Sequence, residues 1–410
     1  MGFISDLFDG KKSLDLAKSP IYTGEPVSKK ETPEIVRVKQ SELEQAYISD
    51  PVCFNSINKA TQMIMAAGYT IEGEGSEEFI KFLSEIGNVG DDITWDEMLE
   101  AIYKYQMIYG WSFIESVFNK KQDRIVDLTL IDSKRMDYAK NGSDKIVLDR
   151  FGKPVGYTLQ LQYGTTAEGD TIPNEFRNSI STGSDKIFMM PKRICQFKLY
   201  TYGDRFYPLG LIEPGYKSIL RKMNIEEAQA NSIYTRGTYP VIAYVGDQMH
   251  DPTPQDIDSV LKNLTRLKHD RYTAFQYWVK VDTLEAKQSD IVQSTLDYLR
   301  LNETASLGMP TAFATGAGEA TNRATLNNQQ VVLEFTLNDI VNRTVATIEK
   351  YIFKRIAFYN GYKGVPKLKW GTIRADEPND QAMRLINYVK NGILNPEDIT
   401  AFARKSEGIW

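Results

Sequence analysis

The stretch "PTAFATGAGEATNRATLN", Pro310 to Asn327, is where a phosphate-binding site would be sought first. Gly316 and Gly318 stand among small residues, a single arginine follows at Arg323, and a strongly patterned helix begins there. A Walker-type loop closes on Gly-Lys-Ser/Thr, because the lysine must reach the outer phosphates. Here Gly318 is followed by Glu319, which repels an anion. A dinucleotide loop needs a third glycine and a preceding strand. That third position holds Thr321, and the residues before the loop are patterned as a helix. What remains is a loop rich in small residues, with Thr321 or Asn322 as the cap of the next helix.

Other chemistry fares no better. The only histidines are His250 and His269 and the only cysteines Cys53 and Cys195, with no CxxC or HxxxH spacing among them. A zinc site needs four such ligands held together, so no metal and no cofactor is expected. The acidic pairs Asp91/Asp92, Glu226/Glu227 and Asp376/Glu377 read as solvated faces or helix-start charges. No GxSxG elbow or HExxH occurs, so nothing in the sequence argues for an enzyme. Two cysteines cannot build a disulfide framework, which points to a reducing compartment. The net charge of -5 argues against tight DNA binding, which draws on many lysines and arginines.

The elements that must position these residues follow from patterning. The 410 residues are enough for two to three domains, and 42% hydrophobic with 25% charged residues is an ordinary globular balance. No apolar run approaches the length of a membrane span. The first residues carry Phe3, Ile4, Leu7 and Phe8 without a basic start or cleavage site, as in a short amphipathic helix leading into a loose arm. "DPVCFNSINKATQMIMAAG" predicts a helix: Asp50 caps it, Pro51 suits its first turn, and Ile57, Ala60, Ile64 and Ala67 share a face. A second helix, capped by Thr94 and ended by Gly110, carries Met98, Ile102, Tyr105 and Tyr109. From Trp111 to Leu199 the alternation predicts strands in an antiparallel or mixed sheet, at "WSFIESVF", "RIVDLTLID", "KIVLDRFGKPVGYTLQLQYG" and "RICQFKLY". The polar interval 165–184 offers little to bury and reads as a surface loop.

Further on, a helix is predicted over 214–235. A strand–helix–strand insert follows, whose helix has Thr253 as cap, Pro254 at its first position and basic residues at its end. Another helix spans 289–307 and stops at Gly308-Met309-Pro310. Leu333, Leu337, Ile340, Val341, Val345, Ile348, Ile352 and Ile356 then predict a long helix over 321–359. "PKLKWGTI" reads as a strand, and helices near 378–389 and 396–405 close the chain.

The order of these pieces resembles the portal, or head–tail connector, family of tailed double-stranded DNA viruses. The residues that carry the resemblance are "MGFISDLFDGKK", "DPVCFNSINKATQMIMAAGYTI", "YKYQMIYGWSFIE", "LIDSKRMDY", "ICQFKLYTYGDRFYPLGLIEP" and "ETASLGMPTAFATG". The resemblance implies an α+β subunit of a closed ring of about twelve copies with head-to-tail contacts. It assigns 1–32 to a flexible arm, 33–207 to the first part of a wing, 208–237 and 287–308 to paired stem helices, and 238–286 to a clip. Residues 309–323 would be the tunnel loop, 324–375 the long helix and rest of the wing, and 376–410 a short helical end.

The implied function is a conduit for double-stranded DNA during packaging and ejection at one capsid vertex. The implied partners are the terminase large subunit, neck or adaptor proteins, and the major capsid and scaffold proteins. The virion is the implied location, with assembly in the host cytoplasm. Candidate DNA-facing residues are Thr315, Gly316, Gly318, Glu319, Thr321, Asn322 and Arg323 in the loop, with Lys217, Arg221 and Lys222 in the stem. Candidate clip contacts are Lys262, Arg266, Lys268, Arg271 and Tyr272. Another viral head or neck component is the alternative reading, and a cellular enzyme with an unrecognised site is a remoter one.

Overall fold

Two units divide the chain, Met1–Lys39 and Gln40–Trp410. The computed structural model describes residues 37–87, 93–161, 169–182, 185–203, 205–236, 241–246, 251–267, 278–283, 290–315, 323–373, 383, 386–392 and 395. The expected arm, 1–32, and the expected helix at 396–405 lie outside the described residues. Of the helix expected at 378–389, residues 383 and 386–389 are described and are helical.

In the second unit, α1 (Gln40–Ser49) leads directly into α2 (Pro51–Ala66). Asp50 caps α2: its Oδ1 accepts from the backbone N–H of Val52 at 2.8 Å and of Cys53 at 3.2 Å. Pro51 follows in the first turn, where its missing N–H has no intrahelical partner to lose. Ile57, Ala60 and Ile64 are buried as their spacing predicts. After α3 (Ser76–Ser84), the helix α4 (Trp95–Tyr109) opens with a full capping box between Thr94 and Glu97. Its buried stripe includes Leu99, Tyr103 and Gln106 beside the expected Met98 and Ile102, whereas Tyr105 is only half-buried.

Two three-stranded antiparallel sheets take the place of the one expected over residues 111–199, and two two-stranded sheets complete the four among the described residues. Strands β1 (Tyr69–Glu72) and β10 (Lys367–Trp370) pair with each other. The strands β2 (Trp111–Phe118), β3 (Ile125–Ile131) and β7 (Ile194–Lys198) form a sheet in the order β3-β2-β7. A second three-stranded sheet, order β4-β5-β6, holds β4 (Met136–Tyr138), β5 (Tyr157–Gln160) and β6 (Lys186–Met189). Residues 145–150, read as strand, make only single bridges, because Asp149 Oδ1 accepts from the backbone of Phe151 and Lys153 and turns the chain. The interval 165–184 is not purely a surface loop. Ile180 is buried with Ala139 and Phe188, and Ile172 and Phe176 pack against them. Those three apolar residues, four apart, are obscured by the polar composition around them.

The end of α4 shows why two glycines stand where they do. A Cβ on Gly110 would lie 2.6 Å from the Pro208 carbonyl, and one on Gly210 would lie 2.6 Å from the Ile108 carbonyl. Backbone passes against backbone there, and Leu211 N–H donates to Met107 O at 2.7 Å. This crossing delivers the chain into α5 (Ile212–Arg236), which packs along α7 (Asp290–Leu307). Between them, β8 (Val241–Val245) and β9 (Val279–Thr283) pair antiparallel, with α6 (Pro254–Leu267) inserted. Thr253 and Asp256 cap α6 reciprocally.

After the short α8 (Thr311–Thr315), the long helix runs as α9 (Arg323–Thr347), a π-helical segment (Ile348–Phe353) and α10 (Lys354–Asn360). The expected helix is therefore present, with one departure. At about 3.6 residues per turn, Ile356 and Ala357 would rotate away from the face that carries Ile340 and Val341. All four are buried, because the wider π turn winds the stripe back. The main core lies where α3, α4 and this π segment meet the β3-β2-β7 sheet, with Phe79, Ile102, Ile114, Phe197, Ile352 and Phe353 at its centre.

Candidate functional site

The region that could act on a partner is built on α5, α7, α8 and α9, with α2 beneath them. The helices α5 and α7 approach closely at Gly215, where an added Cβ would stand 2.8 Å from Ser306 Cβ. Arg300 reaches across to Glu226 at 3.3 Å on the exposed side.

At the base of the pair sits a buried ionic cluster. Lys222 of α5 holds its ammonium 2.5 Å from Asp50 Oδ2 and 2.5 Å from Glu303 Oε2 of α7. Asp50, Lys222 and Glu303 are at most 2% exposed, and the Cys53 thiol lies 3.5 Å from Glu303 Oε1. Two carboxylates and one ammonium would leave a net negative charge in a place without water, which is costly. Burial first, and then the hydrogen bond with Asp50, push the Glu303 carboxyl up to about 7. Burial works against Asp50 as well, but hydrogen bonds from Glu303 and Lys222 outweigh it and hold that carboxyl below its ordinary value. Lys222 is held above the ordinary lysine value: burial opposes this, and its bonds to both acids prevail. The cluster thus acts as a joint that ties the cap of α2 to both paired helices. Asp50, Cys53 and Glu303 form the one group of metal-ligating side chains found together among the described residues. The lysine ammonium already lies among them and supplies the positive charge.

Lys222, a sequence candidate for phosphate contact, is therefore corrected: its ammonium is sealed inside this joint and does not face a channel. Lys217 and Arg221 are half-buried on the same helix, and each has an interaction partner. Cys195 is likewise a buried core thiol, pushed by burial to about 12.

Beyond α7, Gly308 adopts φ +64 and stops the helix. The short α8 then presents its carbonyl end to α2. Asn55 Nδ2 donates to the carbonyls of Phe313 at 3.3 Å and Ala314 at 2.7 Å, and Lys59 Nζ donates to Phe313 O at 2.8 Å. Thr315 is exposed and returns its hydroxyl to Thr311 O at 2.8 Å. Gly316, Gly318, Glu319, Thr321 and Asn322 lie outside the described residues. Arg323 opens α9, at a position whose side chain is also outside them.

In the insert, Lys262 is exposed on α6 and pairs with Asp258 one turn earlier at 3.2 Å. Arg266 stands on the same helix, with its side chain outside the described ones, and Lys268, Arg271 and Tyr272 lie outside the described residues. On α6, Ile257 and Leu261 are exposed while Val260 is buried.

The sequence reading missed the joint and the α2–α8 contact. A signal for the joint was present. Glu303 falls in the apolar series Leu296, Leu299 and Leu307 of α7, and Lys222 falls in the series Ile212, Tyr216 and Ile219 of α5. A charge on each of two apolar stripes asks for a buried partner. Asn55 and Lys59 gave no such signal, because their partners are backbone carbonyls far along the chain.

No curated protein sequence matches the chain. Among solved structures, a chain from the neck of an empty gene transfer agent (GTA) particle, computed with C6 symmetry, superposes with a TM-score of 0.58 at 16% identity. It covers 88% of this chain and 92% of that chain. A chain from the virion of the native gene transfer agent particle gives 0.58 at 15% identity, over 89% of this chain and 93% of that one. The neck of the native particle computed with C12 symmetry gives 0.56 at 16%, over 87% and 89%. At these identities the likeness is one of fold. The family model for the portal protein of Mu bacteriophage matches residues 41–406, nearly the whole described chain, and the protein belongs to that family.

Proposed function

We propose that this chain is the subunit of a portal ring of about twelve copies at one capsid vertex, built on head-to-tail contacts of cyclic symmetry. The ring is the conduit for double-stranded DNA in packaging and ejection. It docks the terminase large subunit during packaging and neck proteins afterwards, beside the major capsid and scaffold proteins. The observation that carries the reading is the portal family match over residues 41–406. The whole-chain likeness to gene transfer agent neck structures, one of them computed with C12 symmetry, supports it.

In this reading α5 and α7 are the stem, the β8–α6–β9 insert is the clip, and residues 309–323 are the tunnel loop. The two three-stranded sheets, with α1 to α4 and the long helix, make the wing. A conduit must hold its cargo weakly, and a net charge of -5 favours sliding over capture. Lys217, Arg221 and Arg323 remain the candidates for passing phosphate contact. Lys262, Arg266, Lys268, Arg271 and Tyr272 remain those for terminase or adaptor contact.

Native mass spectrometry and negative-stain imaging of the full-length protein test the reading. Rings with a central hole are expected, binding DNA without sequence preference. A sequence-specific footprint, or closed particles without a hole, would count against it.

A further inference from the structure

The most specific unexplained feature outside the buried joint is the way α2 grips α8. A five-residue helix leaves nearly all its carbonyls without an internal partner. Water normally serves such an exposed end. Here Asn55 and Lys59, one turn apart on α2, direct three donated hydrogen bonds at two consecutive carbonyls, Phe313 O and Ala314 O. Ala314 is buried, whereas Thr315, the next residue, is exposed. A lysine whose charge bonds a backbone carbonyl fixes a place in the chain and is indifferent to the side chain there. The start of α2 is anchored too, since its cap residue Asp50 belongs to the joint with Lys222 and Glu303.

We propose that Asn55 and Lys59 are positioning residues that latch the carbonyl end of α8 to α2, and so fix where the chain leaves Thr315. Residues after 315 begin from a point tied to the same helix that carries the joint of the paired helices. The inference rests on the reading of 309–323 as the tunnel loop for its meaning, but not for its test.

The test is hydrogen–deuterium exchange on the full-length protein, comparing wild type, Asn55→Ala, Lys59→Met, the double variant and Lys59→Arg. The double variant should exchange about tenfold faster over residues 311–315, with α5, α7 and the sheets unchanged. Each single variant should lie between, and Lys59→Arg, which still donates to a carbonyl, should keep the protection. Unchanged exchange at 311–315 in the double variant would overturn the latch. So would a rise spread over the whole of α2, α5 and α7, which would make the pair an ordinary folding contact. A second readout is the DNA content of particles assembled with the double variant, which should fall. Faster local exchange with normal DNA content would keep the latch and overturn the tunnel-loop reading instead.

Discussion

The sheet-bearing core and the paired helices α5 and α7 are held together by opposite means. Where α3, α4 and the π segment meet the β3-β2-β7 sheet, the contact is apolar and aromatic, with Phe79, Phe353 and Tyr362 ring against ring. Where α5 and α7 meet α2, the closest contact is a lysine shared by two acids, with a glycine letting the helices close. An apolar core responds to volume and hardly to pH. A buried ionic joint responds strongly to pH and to the loss of one partner. The two regions should therefore fail separately, and under different conditions.

The sharpest way to break that contrast is Lys222→Met, which leaves two acids facing each other in a buried site. A loss of about 3–5 kcal/mol is expected in urea unfolding, the range for a buried pair that loses one member. If the variant cost no more than a surface substitution, the joint would be a passive contact.

The pH dependence comes next. The folded Glu303 carboxyl, near 7, lies above its ordinary 4.5, so the folded state holds its proton more tightly. Its stabilisation is complete below about 4.5 and is lost as pH rises through about 7, up to ~3 kcal/mol in all. Asp50 acts in the other direction at acid pH, where its lowered carboxyl is eventually protonated. Glu303→Gln should flatten the loss of stability between pH 5 and 8, measured as the urea midpoint across that range. Variants of the apolar core around Phe79 and Phe353 should leave it in place.

Gly215→Val tests the closeness of α5 and α7. Overpacking against Ser306 should cost about 1–3 kcal/mol, without any change in the pH profile. The smallest effect is expected on the insert, where Lys262→Ala removes only an exposed pair with Asp258. A change in urea stability within about 0.5 kcal/mol is expected there. Any loss of packaging by that variant would then report on partner contact and not on folding.

The legibility of the molecule divides along the same line. Helix starts and stops such as Asp50, Thr94, Thr253, Gly110 and Gly308 announce themselves, because capping is a local act of one residue on its neighbours. The stripe from Leu333 to Ile356 likewise announces the long helix. The division into four small sheets was not legible, since β1 finds β10 almost three hundred residues further on, and no local pattern names a partner. The joint was half legible, as misplaced charges on two apolar stripes. Lys222, expected to face DNA, is buried between Asp50 and Glu303, because its place on the apolar stripe of α5 points it inward.

The π segment has a consequence for how relatives should differ in length. A wide turn holds one residue more than an α-helical path across the same height. A chain lacking one residue between Thr347 and Lys354 would run as an ordinary helix and still turn the counterparts of Ile356 and Ala357 to the core. A chain that kept every residue but wound them all as α-helix would instead turn those two off it. A single-residue gap at this point in an alignment, with the downstream apolar residues otherwise matched, would mark which relatives built the same wall without the extra residue.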